Sequence, residues 1–197
     1  MFTTRADTIY SAAFVVLAPE NPLIETIKDL IINIDEVEKY IHESKGKTEL
    51  ERQQQKDKTG VKIVGLMAVN PINNKEVPIY IGDFVLGGYG TGAVFGDVHD
   101  ERDFEFIKKF NIEATPSIVP EEPKLAEKVK NLEVCFADYG ILINSDEFTG
   151  MRSEEALPKI VEKLEKQGAA RKQVNYRLRD WLAVSYTHLT LPTNREV

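Results

Sequence analysis

The chain has 197 residues, with 42% hydrophobic and 29% charged residues and a net charge of −7. This composition fits one globular domain with or without a short appendage, and it excludes a largely disordered chain. The negative charge argues against a protein that coats nucleic acid, although it leaves room for a local RNA site.

Cysteine usage and hydropathy exclude further classes. Cys135 is the single cysteine of the sequence, so an intramolecular disulfide is excluded and the thiol is interpreted as a packing residue. The longest apolar stretch, residues 12–18, is far shorter than the roughly 18–20 residues of a membrane-spanning helix. Arg5 and Asp7 interrupt any signal-peptide pattern. We therefore expect a cytoplasmic protein with no membrane contact.

The first part of the chain predicts two strands and a helical region. β-branched and aromatic residues in 1–18 predict a strand, a turn and a second strand. Asn21 and Pro22 then predict the start of an amphipathic helix. The charged segment 35–58 predicts a solvated helical hairpin.

A β-hairpin is predicted next. Residues 61–69 and 77–86 have strand patterns, and Asn73-Asn74 between them supplies turn chemistry. Residues 87–96 are rich in glycine, which permits positive φ angles and close approach of a ligand to the backbone.

The remaining elements are mostly helical. Asp100 is predicted to cap a short helix, with Asp103 completing a capping-box-like arrangement. A small charged helix follows a linker that contains Pro116, Pro120 and Pro123, and a strand is predicted at 141–143. Ser153 is predicted to cap the last helix and Gly168 to end it.

Three polar segments are candidates for chemistry, and each also has a structural interpretation. The glycine-rich run lacks the Gly-Lys-Ser/Thr ending and the dinucleotide spacing, so it is either a bend in a sheet, which sequence alone favours, or a backbone wall for a ligand. Residues 99–103 either cap a helix or place both signs of charge in a cleft. Residues 3–8 either form an edge strand or combine hydroxyls that orient water with a carboxylate that pairs with an ammonium group. Those last groups are the parts needed to cleave an aminoacyl ester without a metal or a covalent nucleophile.

Two other catalytic classes lack their motifs. The three histidines, His42, His99 and His188, are too far apart for a zinc motif with one cysteine. A Gly-x-Ser-x-Gly elbow is absent from the sequence, so nothing indicates a serine hydrolase.

Several segments of the sequence, taken in order, form a recognisable set: Thr3-Thr4-Arg5-Ala6-Asp7-Thr8, Val16-Leu17-Ala18-Pro19-Glu20, Thr59-Gly60-Val61, Asn70-Pro71, Gly88-Tyr89-Gly90-Thr91-Gly92-Ala93-Val94, His99-Asp100-Glu101-Arg102-Asp103-Phe104-Glu105-Phe106, Ile141-Leu142-Ile143-Asn144-Ser145, Ser153-Glu154-Glu155-Ala156 and Asn175-Tyr176-Arg177-Leu178-Arg179-Asp180-Trp181-Leu182. Together they resemble the editing insertion of bacterial-type leucyl-tRNA synthetases, over about residues 2–182. The fold implied by the resemblance is α+β, with a curved, partly barrel-like antiparallel sheet and surrounding short helices.

The resemblance implies hydrolysis of the ester bond of mischarged tRNA(Leu). Thr3 and Thr4 would contact the terminal adenosine and the hydrolytic water, and Thr8 would exclude correctly attached leucine. Asp103 would bind the α-ammonium group of the substrate. The other implied substrate-binding residues are Arg5, Asp7, Tyr89, Gly90, Thr91, Gly92, Val94, Phe95, His99, Asp100 and Arg102.

The resemblance also implies partners and cofactors. The 3′ end of mischarged tRNA(Leu) and the rest of a synthetase would be the partners of a monomeric protein. Editing would need no cofactor or metal, because ATP and Mg²⁺ belong to a catalytic core that this sequence lacks. The alternatives are an RNA-end or peptide-binding module without turnover, and a purely structural insert.

Two departures from the family are visible in the sequence. Between Gly92 and His99 the chain is one residue shorter than the common form and reads Phe95-Gly96-Asp97-Val98. After Trp181-Leu182 the catalytic-core sequence is replaced, so we expect residues 1–170 to form the editing domain, 171–182 to lead back toward the core, and 183–197 to be a foreign tail. A strand that normally precedes Thr3 is also expected to be missing.

Overall fold

The structure is a computed structural model, which describes residues 1, 3–48, 51–52, 58–88 and 90–173. Its main sheet has four strands, and a separate pair of short antiparallel strands follows. The strands are β1 Phe14–Leu17, β2 Val61–Val69, β3 Glu76–Ile81 and β4 Ala93–Gly96 in the sheet, then β5 Ile118–Val119 and β6 Ile141–Leu142 in the pair.

Short helices surround both sheets. Within the described ranges they have apolar faces that pack on three clusters of buried side chains. The helices are α1 Leu23–Ile27, α2 Ile34–Lys45, α3 Glu101–Phe110, α4 Pro123–Lys130 and α5 Ser153–Lys166, with 3₁₀ helices η1 Ala6–Ser11, η2 Lys28–Leu30 and η3 Asp146–Phe148.

β1 is a central strand that is covered on both faces. Successive side chains of a strand point to opposite faces, and all four residues of β1 are buried. Phe14 and Val16 belong to the cluster that includes α3, whereas Val15 and Leu17 belong to the cluster that includes α1 and α2. The sheet is therefore buried between helices, with β4 on one edge.

The sheet is mixed, and this corrects the expected antiparallel arrangement. β1 pairs with β4 antiparallel but with β3 parallel, and the strand order is β2-β3-β1-β4. The parallel pair arises because the chain passes through α1, α2 and β2 before β3, which is the long crossover that parallel strands require. The described strands leave the sheet open at β2 and β4, so the barrel-like part of the prediction is not supported.

The region before β1 is a second correction, since the predicted strand is the 3₁₀ helix η1. The hydroxyl of Thr8 is 3.0 Å from the carbonyl oxygen of Arg5, and that of Ser11 is 2.7 Å from the carbonyl oxygen of Thr8. Such side-chain bonds to a carbonyl three residues earlier compete with strand formation. Ala6 and Tyr10 also pack in the cluster that contains α5, which holds η1 in place.

Two predicted helix caps are wrong. Arg152 is the N-cap of α5 without a side-chain bond, and the Ser153 hydroxyl instead accepts a bond from the Gly140 N–H at 3.1 Å. Asp103 does not complete a capping box, because its carboxylate accepts a bond from the Asp97 N–H. The Asp100 cap is confirmed, as its side chain accepts bonds from two backbone N–H groups of α3.

Other predictions are confirmed in part. The strand at 61–69 is β2, and Gly168, with φ +69°, follows α5 as predicted. The predicted strand 77–86 ends at Ile81. The first half of the charged hairpin is α2, whereas much of its second half lies outside the described residues. The proposed return segment and tail, 171–182 and 183–197, also lie almost wholly outside them.

The position of Cys135 agrees with its predicted packing role. The Cys135 thiol donates a bond to the Val98 carbonyl oxygen at 3.3 Å, and burial raises its pKa to about 11. A half-buried, hydrogen-bonded thiol whose neutral form is favoured fits a packing residue. None of the helices in the described part of the chain is long and apolar enough to cross a membrane.

Candidate active site

A cluster of three polar side chains joins the threonine segment to α3, and we call Thr8, Asp97 and Asp103 the Thr8 cluster. The Thr8 hydroxyl lies 2.7 Å from the Asp97 carboxylate. The Asp97 N–H donates to the Asp103 carboxylate at 3.3 Å. Thr8 and Asp97 are only 3% and 6% exposed. The structure therefore brings two predicted site residues, Thr8 and Asp103, together through a third that was not predicted.

Both carboxyl groups of this cluster have pKa values above the ordinary value for aspartate. Burial, with the nearby charges of Asp100 and Asp97, raises the pKa of Asp103 to about 8. Burial also raises the pKa of Asp97 to about 6, against the effect of the hydrogen bond from Thr8. A carboxylate that is costly to ionise alone gains most from a cationic partner. Asp103 therefore has the electrostatics of a binding site for a positive group.

Arg5 and Asp7 pair with each other next to the Thr8 cluster. Arg5 donates from Nε and one terminal nitrogen to the Asp7 carboxylate at 2.9–3.2 Å, and Asp7 is 0% exposed. Another Arg5 nitrogen donates to the Ala137 carbonyl oxygen at 2.7 Å, and the guanidinium lies 4.5 Å from the centre of the Tyr139 ring. These positions favour a structural role for the pair, which fixes the start of η1 against the 137–139 loop.

His99 joins three segments of the chain from a buried position. Its Nε2 accepts bonds from the Ser117 and Ile118 N–H groups at 3.0 and 3.1 Å. The proton must then reside on Nδ1, which lies 2.8 Å from the Phe136 carbonyl oxygen and donates to it. Both ring nitrogens of His99 are thus bonded within the protein, which favours a structural role over contact with substrate.

The buried position of His99 predicts that protonation of this residue lowers the free energy of unfolding in acid. Burial lowers its pKa from 6.5 to about 4. Between these values the unfolded chain binds a proton that the folded chain does not, so the free energy of unfolding falls as the pH falls. We expect a loss of about 3 kcal/mol from pH 7 to pH 4.

The measurement is urea unfolding of the chain and of His99→Gln at several pH values. Glutamine can donate and accept but does not titrate, so the difference between the two proteins should shrink as the pH falls below 6.5. Asp97 and Asp103, whose raised pKa values contribute with the opposite sign, are present in both proteins. A difference that stays constant with pH would contradict the buried neutral histidine.

The glycine-rich end of the predicted site lies at the opposite end of β4. The Asn21 amide donates to the carbonyl oxygens of Thr91 and Gly92 at 3.1 and 2.8 Å, and the Ala18 N–H donates to Gly92 at 2.8 Å. Gly92 precedes β4 and Asp97 follows it, so about 16 Å separates them at the rise of a strand. The predicted site is thus divided into two ends joined by β4.

The other predicted residues lie at or between these two ends. Thr3 and Thr4 are exposed just before η1, where the Thr3 hydroxyl accepts from the Arg5 N–H at 3.0 Å. Val94 and Phe95 are half-buried on β4. Gly90 has φ +65°, a conformation that favours glycine. Arg102 and Asp100 are exposed at the start of α3, and Tyr89 lies outside the described residues.

Three residues near the site were missed by the sequence analysis. Asp97 appeared there only as part of the shortened loop, Asn21 only as a helix cap, and Arg52 only within a solvated run. Arg52 is 4% exposed, forms an ion pair with Glu20 and donates to the carbonyl oxygens of two residues after β3. One signal was available in the sequence for Asp97, an acidic residue directly after a buried strand.

A cationic cavity lies beside the glycine-rich end. It has a volume of about 380 Å³ and is lined by Lys45, Lys47, Arg52, Glu20 and residues 87–88. Lys47 also pairs with Asp83 at 2.6 Å. In the described part of the chain, no group of three His, Cys, Asp or Glu side chains is arranged to hold a metal ion.

Comparison with known proteins supplies the family. Residues 1–165 match the family model for the editing domain of leucyl-tRNA synthetase, so the chain belongs to that family. It is 46% identical over 187 residues to a leucine–tRNA ligase of Clostridium perfringens and 47% identical over 184 residues to that of Clostridium tetani. Each alignment covers 92% of this chain but only 22% and 21% of the relative, so the chain spans about a fifth of those ligases.

A solved structure shares the fold. It is the ternary complex of the Agrobacterium radiobacter K84 agnB2 LeuRS with tRNA and LeuAMS, with a TM-score of 0.65 and 28% sequence identity. The match covers 90% of this chain and 18% of that chain. The mixed α+β architecture described above is therefore that of part of a synthetase.

Proposed function

We propose that the chain hydrolyses the ester bond of mischarged tRNA(Leu), as the post-transfer editing activity of a leucyl-tRNA synthetase. One observation carries this proposal: η1 and α3 meet in the Thr8 cluster, where the Thr8 hydroxyl contacts the buried Asp97 carboxylate and the Asp97 N–H donates to the half-buried Asp103 carboxylate. Substrates of this class present both an amino-acid side chain and an α-ammonium group, and the cluster has a counterpart for each.

Asp103 supplies the counterpart for the ammonium group. Because the pKa of its carboxyl group is raised to about 8 in the empty site, an arriving ammonium group restores the ionised form and gains a charge-assisted hydrogen bond. The substrate is then anchored at the N-terminal turn of α3. Asp100, which caps this turn, keeps Asp103 in place.

Hydrolysis itself needs a positioned water rather than a covalent intermediate. The exposed hydroxyls of Thr3 and Thr4 are suited to orient this water beside the ester. The water oxygen attacks the ester carbonyl carbon, the bond between that carbon and the ribose oxygen breaks, and the ribose oxygen takes up the proton that the water loses. The products are a free amino acid and uncharged tRNA, and no cofactor is required.

Selectivity is proposed to arise from exclusion at Thr8. A pocket that merely binds the wrong amino acid better gains only about 1–3 kcal/mol per methylene group. A second pocket that admits such amino acids but excludes leucine multiplies that discrimination, because leucyl-tRNA is spared while the wrong esters are hydrolysed. Esters of isoleucine, valine, methionine and norvaline are the proposed substrates.

The RNA end is proposed to lie along β4. The terminal adenosine would extend from the Thr8 cluster toward Thr91 and Gly92, and the preceding phosphates would approach the cavity at Lys45, which is exposed. Phosphate contacts of this kind supply much of the affinity for nucleic acids. A net charge of −7 is compatible with phosphate binding at this one place, since the rest of a synthetase would hold the body of the tRNA.

The proposal also places the chain in a larger cytoplasmic protein. That protein would attach leucine to tRNA with ATP and Mg²⁺ at a catalytic core outside this chain, and would act as a monomer. The chain itself is not expected to synthesise leucyl-tRNA.

The test combines binding and turnover on the 197-residue chain. A non-hydrolysable isoleucyl-adenosine analogue should raise its melting temperature, because a ligand that binds only the folded state stabilises it. Excess chain should also release isoleucine from isoleucyl-tRNA(Leu) faster than the tRNA loses it alone. Boiled chain is the control.

The outcomes separate the alternatives. Binding of the analogue without any release of isoleucine would favour an RNA-end-binding module. Neither binding nor release would favour a structural insert. Either result would overturn the editing proposal.

A further inference from the structure

Asp97 holds the Thr8 hydroxyl at a place where the chain departs from the common family sequence. It follows β4 in the shortened loop, and it is 6% exposed. One carboxylate oxygen accepts from the His99 N–H at 2.7 Å, and the other lies 2.7 Å from the Thr8 hydroxyl. Both oxygens are therefore engaged inside the protein.

The Thr8 hydroxyl faces two acceptors with one proton. Its oxygen lies 2.7 Å from the Asp97 carboxylate and 3.0 Å from the Arg5 carbonyl oxygen. A hydroxyl donates only one hydrogen bond at full strength. If Asp97 carries a proton, it donates to Thr8 and Thr8 donates to Arg5, so every group is satisfied. If Asp97 is ionised, Thr8 donates to Asp97 instead.

Both arrangements keep the Thr8 oxygen in the same place. A β-branched side chain whose oxygen is fixed has one χ1 rotamer, so the direction of its methyl group is fixed as well. Without Asp97, the Arg5 carbonyl alone would hold a hydroxyl at the start of a short 3₁₀ helix.

We propose, on the basis of the editing function above, that Asp97 is a positioning residue that fixes the Thr8 rotamer and thereby sets which amino acids the site accepts. Asp97 contacts Thr8 rather than the substrate. It acts on selectivity through Thr8 and on the ammonium site through its N–H bond to Asp103.

The charge of Asp97 affects the ionisation of the titratable groups packed around it. The elements packed around it are η1, the loop before α3, the first turn of α3, and the segment at residues 135–139. Removing the negative charge of Asp97 should ease ionisation of Asp103, since each raises the cost of charging the other. The titratable and charged groups on these elements are Arg5, Asp7, Tyr10, His99, Asp100, Glu101, Arg102, Asp103, Cys135, Asp138 and Tyr139.

The first measurement does not depend on activity. Three-bond couplings to the Thr8 methyl carbon report χ1 by NMR in the unaltered chain, Asp97→Asn and Asp97→Ala. Asparagine reproduces the protonated carboxyl group, so one rotamer is expected in the first two proteins and rotamer averaging in Asp97→Ala. Asp97→Leu, which retains the volume, replaces Asp97→Ala if the latter does not fold. A single rotamer in the apolar variant overturns the proposal.

The second measurement is the ratio of leucyl-tRNA to isoleucyl-tRNA hydrolysis. Asp97→Ala should raise this ratio about tenfold or more, and Asp97→Asn should leave it within about twofold. The acid limb of isoleucyl-tRNA hydrolysis should move about one pH unit lower in Asp97→Asn. An unchanged ratio in Asp97→Ala also overturns the role of Asp97. Absence of hydrolysis by the unaltered chain overturns the editing function instead, and the Thr8 rotamer then decides the proposal about Asp97.

Discussion

Replacing Asp103 with asparagine is expected to slow hydrolysis of isoleucyl-tRNA(Leu) about a hundredfold or more, measured under single turnover. Loss of one partner from a buried charge pair costs about 2–5 kcal/mol, because the other charge is left without compensation. Here that other charge would be the substrate ammonium group. Asparagine preserves the shape of the side chain and can still accept the bond from the Asp97 N–H.

Asp100→Asn is the matched control, because it removes the same charge three residues away. Asparagine caps helices as well as aspartate does, so α3 should be intact and the rate within a few fold of the unaltered chain. Equal rate losses in Asp103→Asn and Asp100→Asn would show that Asp103 has no specific role. Full activity in Asp103→Asn would contradict its assignment altogether.

The dependence of kcat/KM on pH tests the role of Asp103 independently. The ammonium site requires ionised Asp103, whose pKa is about 8 in the empty site, so kcat/KM should rise with pH up to about 8. Above that value the substrate amine, with an ordinary pKa of about 7.7–8.0, loses its proton and binding should weaken. Asp100→Asn removes a neighbouring negative charge and should move the acid limb to lower pH.

Replacing Thr8 with alanine is expected to raise hydrolysis of leucyl-tRNA(Leu) about 10- to 100-fold while isoleucyl-tRNA(Leu) remains a substrate. The free energy of excluding one methyl or methylene group is about 1–3 kcal/mol, which corresponds to this range. Thr8 is 3% exposed and fixed by two acceptors, so its atoms have a defined position in the unaltered site. The measurement is release of radiolabelled leucine under single turnover.

Two further variants separate the methyl group of Thr8 from its hydroxyl. Thr8→Ser keeps the hydroxyl and loses the methyl group, so it should resemble Thr8→Ala if the methyl group excludes leucine. Thr8→Val keeps the volume and loses the hydroxyl, so it should continue to spare leucyl-tRNA more than Thr8→Ala does. If leucyl-tRNA is spared equally in Thr8→Ala and the unaltered chain, the steric role is wrong.

The elements that the sequence predicts correctly are those determined by interactions between residues close together in the chain. β2, the Asp100 cap and the glycine after α5 are all of this kind. The strand predicted before β1 failed because hydroxyl bonds to earlier carbonyls and packing on α5 outweigh the β-propensity of threonine. The parallel pairing of β1 with β3 depends on residues more than 60 positions apart, and no local pattern encodes it.

In the candidate site, too, contacts between residues distant in sequence were not predictable. The resemblance identified Thr8 and Asp103, which lie in one cluster, and it also identified Arg5, Asp7 and His99, whose bonds are within the protein. Their substrate-binding roles stay predictions that the geometry does not favour. Asp97 was missed because its partner Thr8 is 89 residues away in sequence, and only the folded chain shows the contact.

A crystal structure of the chain with a non-hydrolysable isoleucyl-adenosine analogue would show directly whether the Thr8 cluster binds the amino acid of the ester. We expect the ammonium group at hydrogen-bond distance, about 3 Å, from the Asp103 carboxylate. We also expect the isoleucine side chain against the Thr8 methyl group and the adenosine along β4 toward Thr91. An analogue bound with its amino acid at the glycine-rich end, or away from both Thr8 and Asp103, would contradict this binding mode.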